Sequence, residues 1–75
     1  MILIPPSIRS LISQVRSFGA LGEHYQIIAI QYRLNRNDWS MVIQLLETGE
    51  LMTYRYSQIV YDPLIKKPMI TRVPL

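Results

Sequence analysis

The chain has no cysteine, one histidine and three glycines in 75 residues, and only 17% of its residues are charged. The missing cysteine excludes disulfides and thiolate metal sites. The single histidine, His24, has no second imidazole to complete a metal centre. Charge is scarce against the roughly 25% of a typical soluble domain. Long apolar runs are missing as well: the longest internal one, Ile27 to Ile30, falls far short of the ~18 residues that read as a membrane span. The apolar start Met1-Ile2-Leu3-Ile4 has no basic residues before it and stops at Pro5-Pro6, so it does not read as a signal peptide, and a cytoplasmic protein is expected.

What the chain does have is apolar surface. At 49% apolar residues it is too hydrophobic for intrinsic disorder, and at 8.8 kDa it is one small domain. A core of this size supplies only about 3–5 kcal/mol unless disulfides, a metal or oligomerisation help. The first two are unsupported here, which leaves oligomerisation. A net charge of +3 eases the approach of an anionic partner without requiring one.

From Ser7 to Phe18 the apolar residues Ile8, Leu11, Ile12, Val15 and Phe18 recur at helical spacing, which predicts an amphipathic helix over 7–18. Ser7 stands as its N-cap after the two prolines, and Gly19 as its left-handed end. Arg9 and Arg16 then share its solvent side. Beyond the loop Gly19 to Gly22, segments 24–34, 39–47 and 50–56 are rich in Ile, Val, Tyr and Trp and are separated by Asn35-Arg36-Asn37-Asp38 and Thr48-Gly49. These are three strands joined by turns. A short helical turn is expected over 57–62, ending before Pro63, and an edge strand over 68–73.

Symmetric closure of the first turn sets Leu34 opposite Trp39, Tyr32 opposite Met41, Ile30 opposite Ile43 and Ile28 opposite Leu45. The second sets Leu45 opposite Met52, Ile43 opposite Tyr54 and Met41 opposite Tyr56. Both registers place one apolar set on the same face of an antiparallel meander. Thr48 suits a primed turn poorly, so a type I turn with Gly49 in a bulge is expected there. The fold class is therefore α+β, an N-terminal amphipathic helix packed on a three- to four-stranded antiparallel β-meander. The alternative is a small SH3-like barrel with an added N-terminal helix.

The run Phe18-Gly19-Ala20-Leu21-Gly22-Glu23-His24-Tyr25, followed by Trp39, by Glu47-Thr48-Gly49-Glu50 and by Asp62-Pro63, resembles a family of small uncharacterised bacterial proteins. Its marks are a Phe-Gly loop, a Tyr-containing strand and a Glu-Thr-Gly-Glu hairpin. The resemblance spans residues 18–63 and implies no activity, so no functional residue is carried over from it.

Chemistry is sparse. His24 beside Glu23 lies at a strand end without a completing nucleophile or ligand. Glu47 and Glu50 flank a tight turn as solubilising charges, and the six serines have no nucleophile-elbow context. No catalytic residue, metal site, cofactor or small-molecule substrate is expected. A basic nucleic-acid-binding protein is the alternative function, since Gln31, Arg33, Gln44, Thr53 and Arg55 fall on the sheet face opposite the core, with Arg36 in the adjoining turn. The stacking aromatics Tyr32, Trp39, Tyr54 and Tyr56 fall on the core face instead, so a base-stacking platform is missing. Membrane-surface binding is not expected, because the sheet needs the helix stripe as its lid.

Protein interaction is the leading expectation. Ten apolar residues lie in the terminal segments, among them Met69, Ile70 and Val73, where tails are ordinarily polar and poorly ordered. On the face opposite the core, Ile27, Leu46 and Leu51 line up across the strands beside Ala29. Either the chain's own ends cover this patch or a partner does. The candidate interface is Ile27, Leu46, Leu51, Met69, Ile70 and Val73, and the expected partner is a second copy of the chain or another protein.

Overall fold

The computed structural model describes residues 3–66. Pro6 opens α1 (Pro6–Arg9), a single helical turn in which the missing proline N–H is one the helix could not use. The helix expected over 7–18 stops there. The amides of Leu11 and Ile12 reach back only three residues, to the carbonyls of Ile8 and Arg9. Ser13 then takes φ +76°, and its N–H donates to the Ile27 carbonyl at 2.7 Å. From that turn Val15–Ser17 runs as strand β1. The reason lies in the residues between the apolar ones. Ser7, Ser10, Ser13 and Ser17 offer the backbone side-chain hydrogen bonds that compete with a helix, and isolated helices under about 12–15 residues are marginal in water. Pairing with a neighbouring strand offers the same segment a complete ladder. The apolar spacing nevertheless marks burial, because Ile8, Leu11 and Val15 are all buried.

Gly19 is thus not a helix end. It lies in the 18–23 loop joining β1 to β2 (His24–Asn35), closed by the Phe18 N–H on the Glu23 carbonyl at 3.0 Å. A side chain at Gly22 would meet the Phe18 carbonyl oxygen at 1.8 Å, so only glycine fits there. The Ser17 hydroxyl donates within the same loop to the carbonyls of Gly19 and Gly22.

Strands β2, β3 (Asp38–Leu45) and β4 (Leu51–Arg55) follow, with α2 (Tyr56–Ile59) directly after them. The four strands form one antiparallel sheet in the order β1-β2-β3-β4. Among the described residues it is an open sheet, since β1 and β4 do not pair and no barrel closes; the late strand that the SH3-like alternative needs, 68–73, lies outside those residues. One face carries the core: Tyr25, Ile27, Met41, Ile43 and Ile59 are fully buried, joined by Ile8, Leu11, Trp39 and Leu45. Two short helical turns and the 10–13 connection stand where a lid helix was expected.

The β2–β3 register departs from symmetric closure. Asn35 does pair with Asp38, but register shifts between Arg33 and Asn35, Ile30 and Tyr32, and Ile27 and Ala29 displace the ladder three times. The pairs become Arg33 with Trp39, Ile30 with Met41 and Ile27 with Ile43. Each extra residue on the bulged strand reverses the side that later residues face. Ile27 therefore belongs to the core and not to the opposite face, while Ile28 is 39% exposed and Tyr32 55%. Neither Arg36 nor Asn37 takes a positive φ, so the turn is not of the primed type that matches strand twist, and the adjoining shift accommodates it.

In the second hairpin Met41 pairs with Tyr54 and Ile43 with Met52. This is two residues from the expected register, which keeps every side chain on its expected face. The longer 46–50 loop explains the offset. Gly49 sits at φ +76°, its N–H donating to the Leu45 carbonyl at 2.8 Å.

Candidate interaction surface

The two edges of the sheet are treated differently. Beyond β1, residues 63–65 run alongside it: the Ser17 N–H donates to the Pro63 carbonyl at 3.1 Å and the Ile65 N–H to the Val15 carbonyl at 2.9 Å. Arg16 stands opposite Leu64 in the same bridge. Its guanidinium is half-buried and not on a solvent face. Nη1 donates to the carbonyls of Ile59 at 3.0 Å and Asp62 at 2.9 Å, at the C-terminal side of α2, where a cation is favoured. Nε and Nη2 donate to Gln14 Oε1.

Asp62 completes the seal. Its carboxylate accepts the Tyr25 hydroxyl at 2.6 Å and the Gly19 N–H at 3.3 Å. The Tyr25 ring packs against Phe18 and Tyr54, with centroids 4.5 and 5.6 Å away. Burial, and then the bonded Asp62 carboxylate, push the Tyr25 phenol well above the ordinary tyrosine range. Burial and the same carboxylate raise Tyr54 as well. A raised folded value means that this contribution to stability is complete below the ordinary tyrosine pKa of 10.0 and is lost as pH climbs beyond it. Urea midpoints measured below and above that pH should fall for the native chain, and Tyr25→Phe should flatten the fall while costing about 1 kcal/mol at neutral pH. An unchanged alkaline loss in the variant would contradict the assignment.

The other edge, β4, has no such cover among the described residues. No described backbone group outside the sheet bonds to Leu51–Arg55, and its pairing with β3 runs without a register shift. Leu51 is 62% exposed, with Met52 and Leu46 partly exposed nearby. The strand is held in place at its end. Asp38, buried at the start of β3, accepts the N–H groups of Ser57 and Trp39 on Oδ1, both at 2.9 Å, and the Ser57 hydroxyl on Oδ2 at 2.9 Å. It thereby caps α2 from a neighbouring strand. Burial works to raise the Asp38 pKa, but the Ser57 and Trp39 donors and the Arg55 guanidinium outweigh it and hold the carboxyl below its ordinary value.

The structure brings Leu46 and Leu51 toward one side of the sheet but not Ile27, which is in the core. Met69, Ile70 and Val73, and the edge strand expected over 68–73, lie outside the described residues. The basic candidates are not gathered. By register, Arg33 shares the side of Trp39 and Arg55 the side of Ser40, which are opposite faces. Arg33 donates to the carbonyls of Asn35 and Arg36 within its own hairpin, Arg36 is exposed in the turn, and Arg55 stands 3.6 Å from Asp38. Sequence reasoning gave Arg16, Asp38 and Asp62 no role in the site. Their one signal was being charged residues in segments otherwise poor in charge.

An open groove lies between Pro5, Ile8, Arg36, Trp39 and Tyr56, but Trp39 is almost wholly buried and offers it little ring. Among the described residues, no three histidine or carboxylate side chains gather as a metal site would need, and no helix is long and apolar enough to cross a membrane.

A protein-family model described as "Family of unknown function (DUF5397)" matches residues 3–66, and the chain belongs to that family. The match begins well before the Phe18 loop and takes in α1, β1 and the covering segment 63–65. No curated protein matches the chain.

Proposed function

With membership of that family as the premise, we propose that the chain is a non-catalytic protein-interaction domain that works by self-association. The observation that carries this reading is the asymmetry of its sheet. Residues 63–65 cover the β1 edge, while β4 has no cover among the described residues. An uncovered edge is a row of free N–H and C=O groups ready to pair with another strand. The exposed Leu51, Met52 and Leu46 border it. Its non-catalytic character is supported by the employment of both aspartates in the fold: Asp38 caps α2 and Asp62 ties Tyr25 and Gly19.

The nucleic-acid reading draws less support, because Arg33 and Arg55 occupy opposite faces and each already faces oxygen atoms of its own chain. Sedimentation equilibrium from micromolar to hundreds of micromolar tests the proposal. The mass should rise with concentration toward twice the 8.8 kDa of one chain. A single-chain mass throughout would overturn it.

A further inference from the structure

Resting on that self-association, we infer that the contact is β4 against β4 of a second copy, antiparallel about a twofold axis at Thr53, joining two four-stranded sheets into one. Centring on Thr53 gives the five-residue strand Leu51–Arg55 its fullest overlap. Leu51 then faces the partner's Arg55, Met52 the partner's Tyr54, and Thr53 the partner's Thr53. The Met52–Tyr54 pair occurs twice and sets a thioether against an aromatic ring, a favourable contact. The strand's single charge, Arg55, lies at its end and is balanced by Asp38 within its own chain. Antiparallel pairing therefore opposes no like charges, whereas parallel pairing would set the two Arg55 residues close together.

Natural edges are defended by proline, lysine, bulges or a covering segment. Leu51-Met52-Thr53-Tyr54-Arg55 contains neither proline nor lysine, its ladder is unbroken, and no described segment covers it.

The absence of native cysteine makes the test direct. Thr53 is exposed, so Thr53→Cys should fold, and under mild oxidation it should form a disulfide-linked dimer. Leu51→Cys should not, because the axis separates the two Leu51 positions by about 13 Å, beyond disulfide reach. In the reduced full chain, Thr53→Lys should weaken the dimer at least about fivefold by opposing two ammonium groups at the axis. A dimer that forms by mass but gives no Thr53→Cys disulfide, or links equally well through Leu51→Cys, overturns the edge pairing and leaves self-association standing. A monomer at every concentration overturns both.

Discussion

Ile27→Ala should destabilise the domain by about 2–5 kcal/mol, and Ile28→Ala by under about 1 kcal/mol. The two residues are adjacent and chemically identical, and they differ in the side of the sheet they face. Ile27 is fully buried opposite Ile43, among Tyr25, Met41 and Ile59. Truncating it removes apolar contacts and leaves a cavity in a close-packed core. Ile28 occupies the register shift between Ile27 and Ala29 and is 39% exposed on the side away from the core, so alanine there removes a side chain already partly in water and opens no enclosed cavity. Small domains hold a margin of only about 5 kcal/mol, so Ile27→Ala should leave much of the population unfolded at room temperature. Urea titration followed by Trp39 fluorescence checks both variants. Equal losses would contradict the register.

Asp38→Ala should cost about 3 kcal/mol, the second large loss. It deprives the N–H groups of Ser57 and Trp39 and the Ser57 hydroxyl of their common acceptor, and hydrogen bonds to a charged group are each worth about 1.5–3 kcal/mol when removal leaves the other partner buried. The capping of α2 is lost with them. The same carboxylate gives the effect a pH signature. Its folded pKa is depressed below the ordinary 3.8, so its contribution is fully present above that value and disappears as pH falls through the lower folded value. Native stability should therefore drop in strong acid more steeply than that of Asp38→Ala, by denaturant midpoints at neutral and acid pH. Parallel curves would show that Asp38 is not a charged acceptor in the fold.

The strands were legible because their signals are local. Tyr25 to Leu34 and Trp39 to Leu45 carry the aromatic and β-branched residues that fit a pleated surface, and Asn35-Arg36-Asn37-Asp38 and Thr48-Gly49 mark the turns between them. The two features that were not legible are non-local. A register shift needs no special residue, and the apolar run Ile27-Ile28-Ala29-Ile30 gives alternation nothing to phase. As a result symmetric closure assigns Ile27 and Ile28 to each other's faces.

The N-terminal segment failed for a related reason. Ile8, Leu11 and Val15 follow a helical spacing that correctly marks burial, yet the choice between helix and strand was made by the free edge of β2, which the segment cannot signal. Of the candidate interface, Leu46 and Leu51 retain their exposure. The uncovered edge beside them emerged only once strand order was known, since nothing in Leu51–Arg55 distinguishes an edge strand from a central one.

Residue-resolved hydrogen exchange at rising protein concentration looks straight at that edge. Pairing between copies predicts that those amides of Leu51–Arg55 that point away from β3 exchange freely in dilute solution and become protected as concentration increases, with β1 and residues 63–65 unchanged. Protection at β4 that does not respond to concentration, or a response confined to β1, would contradict self-association through this edge.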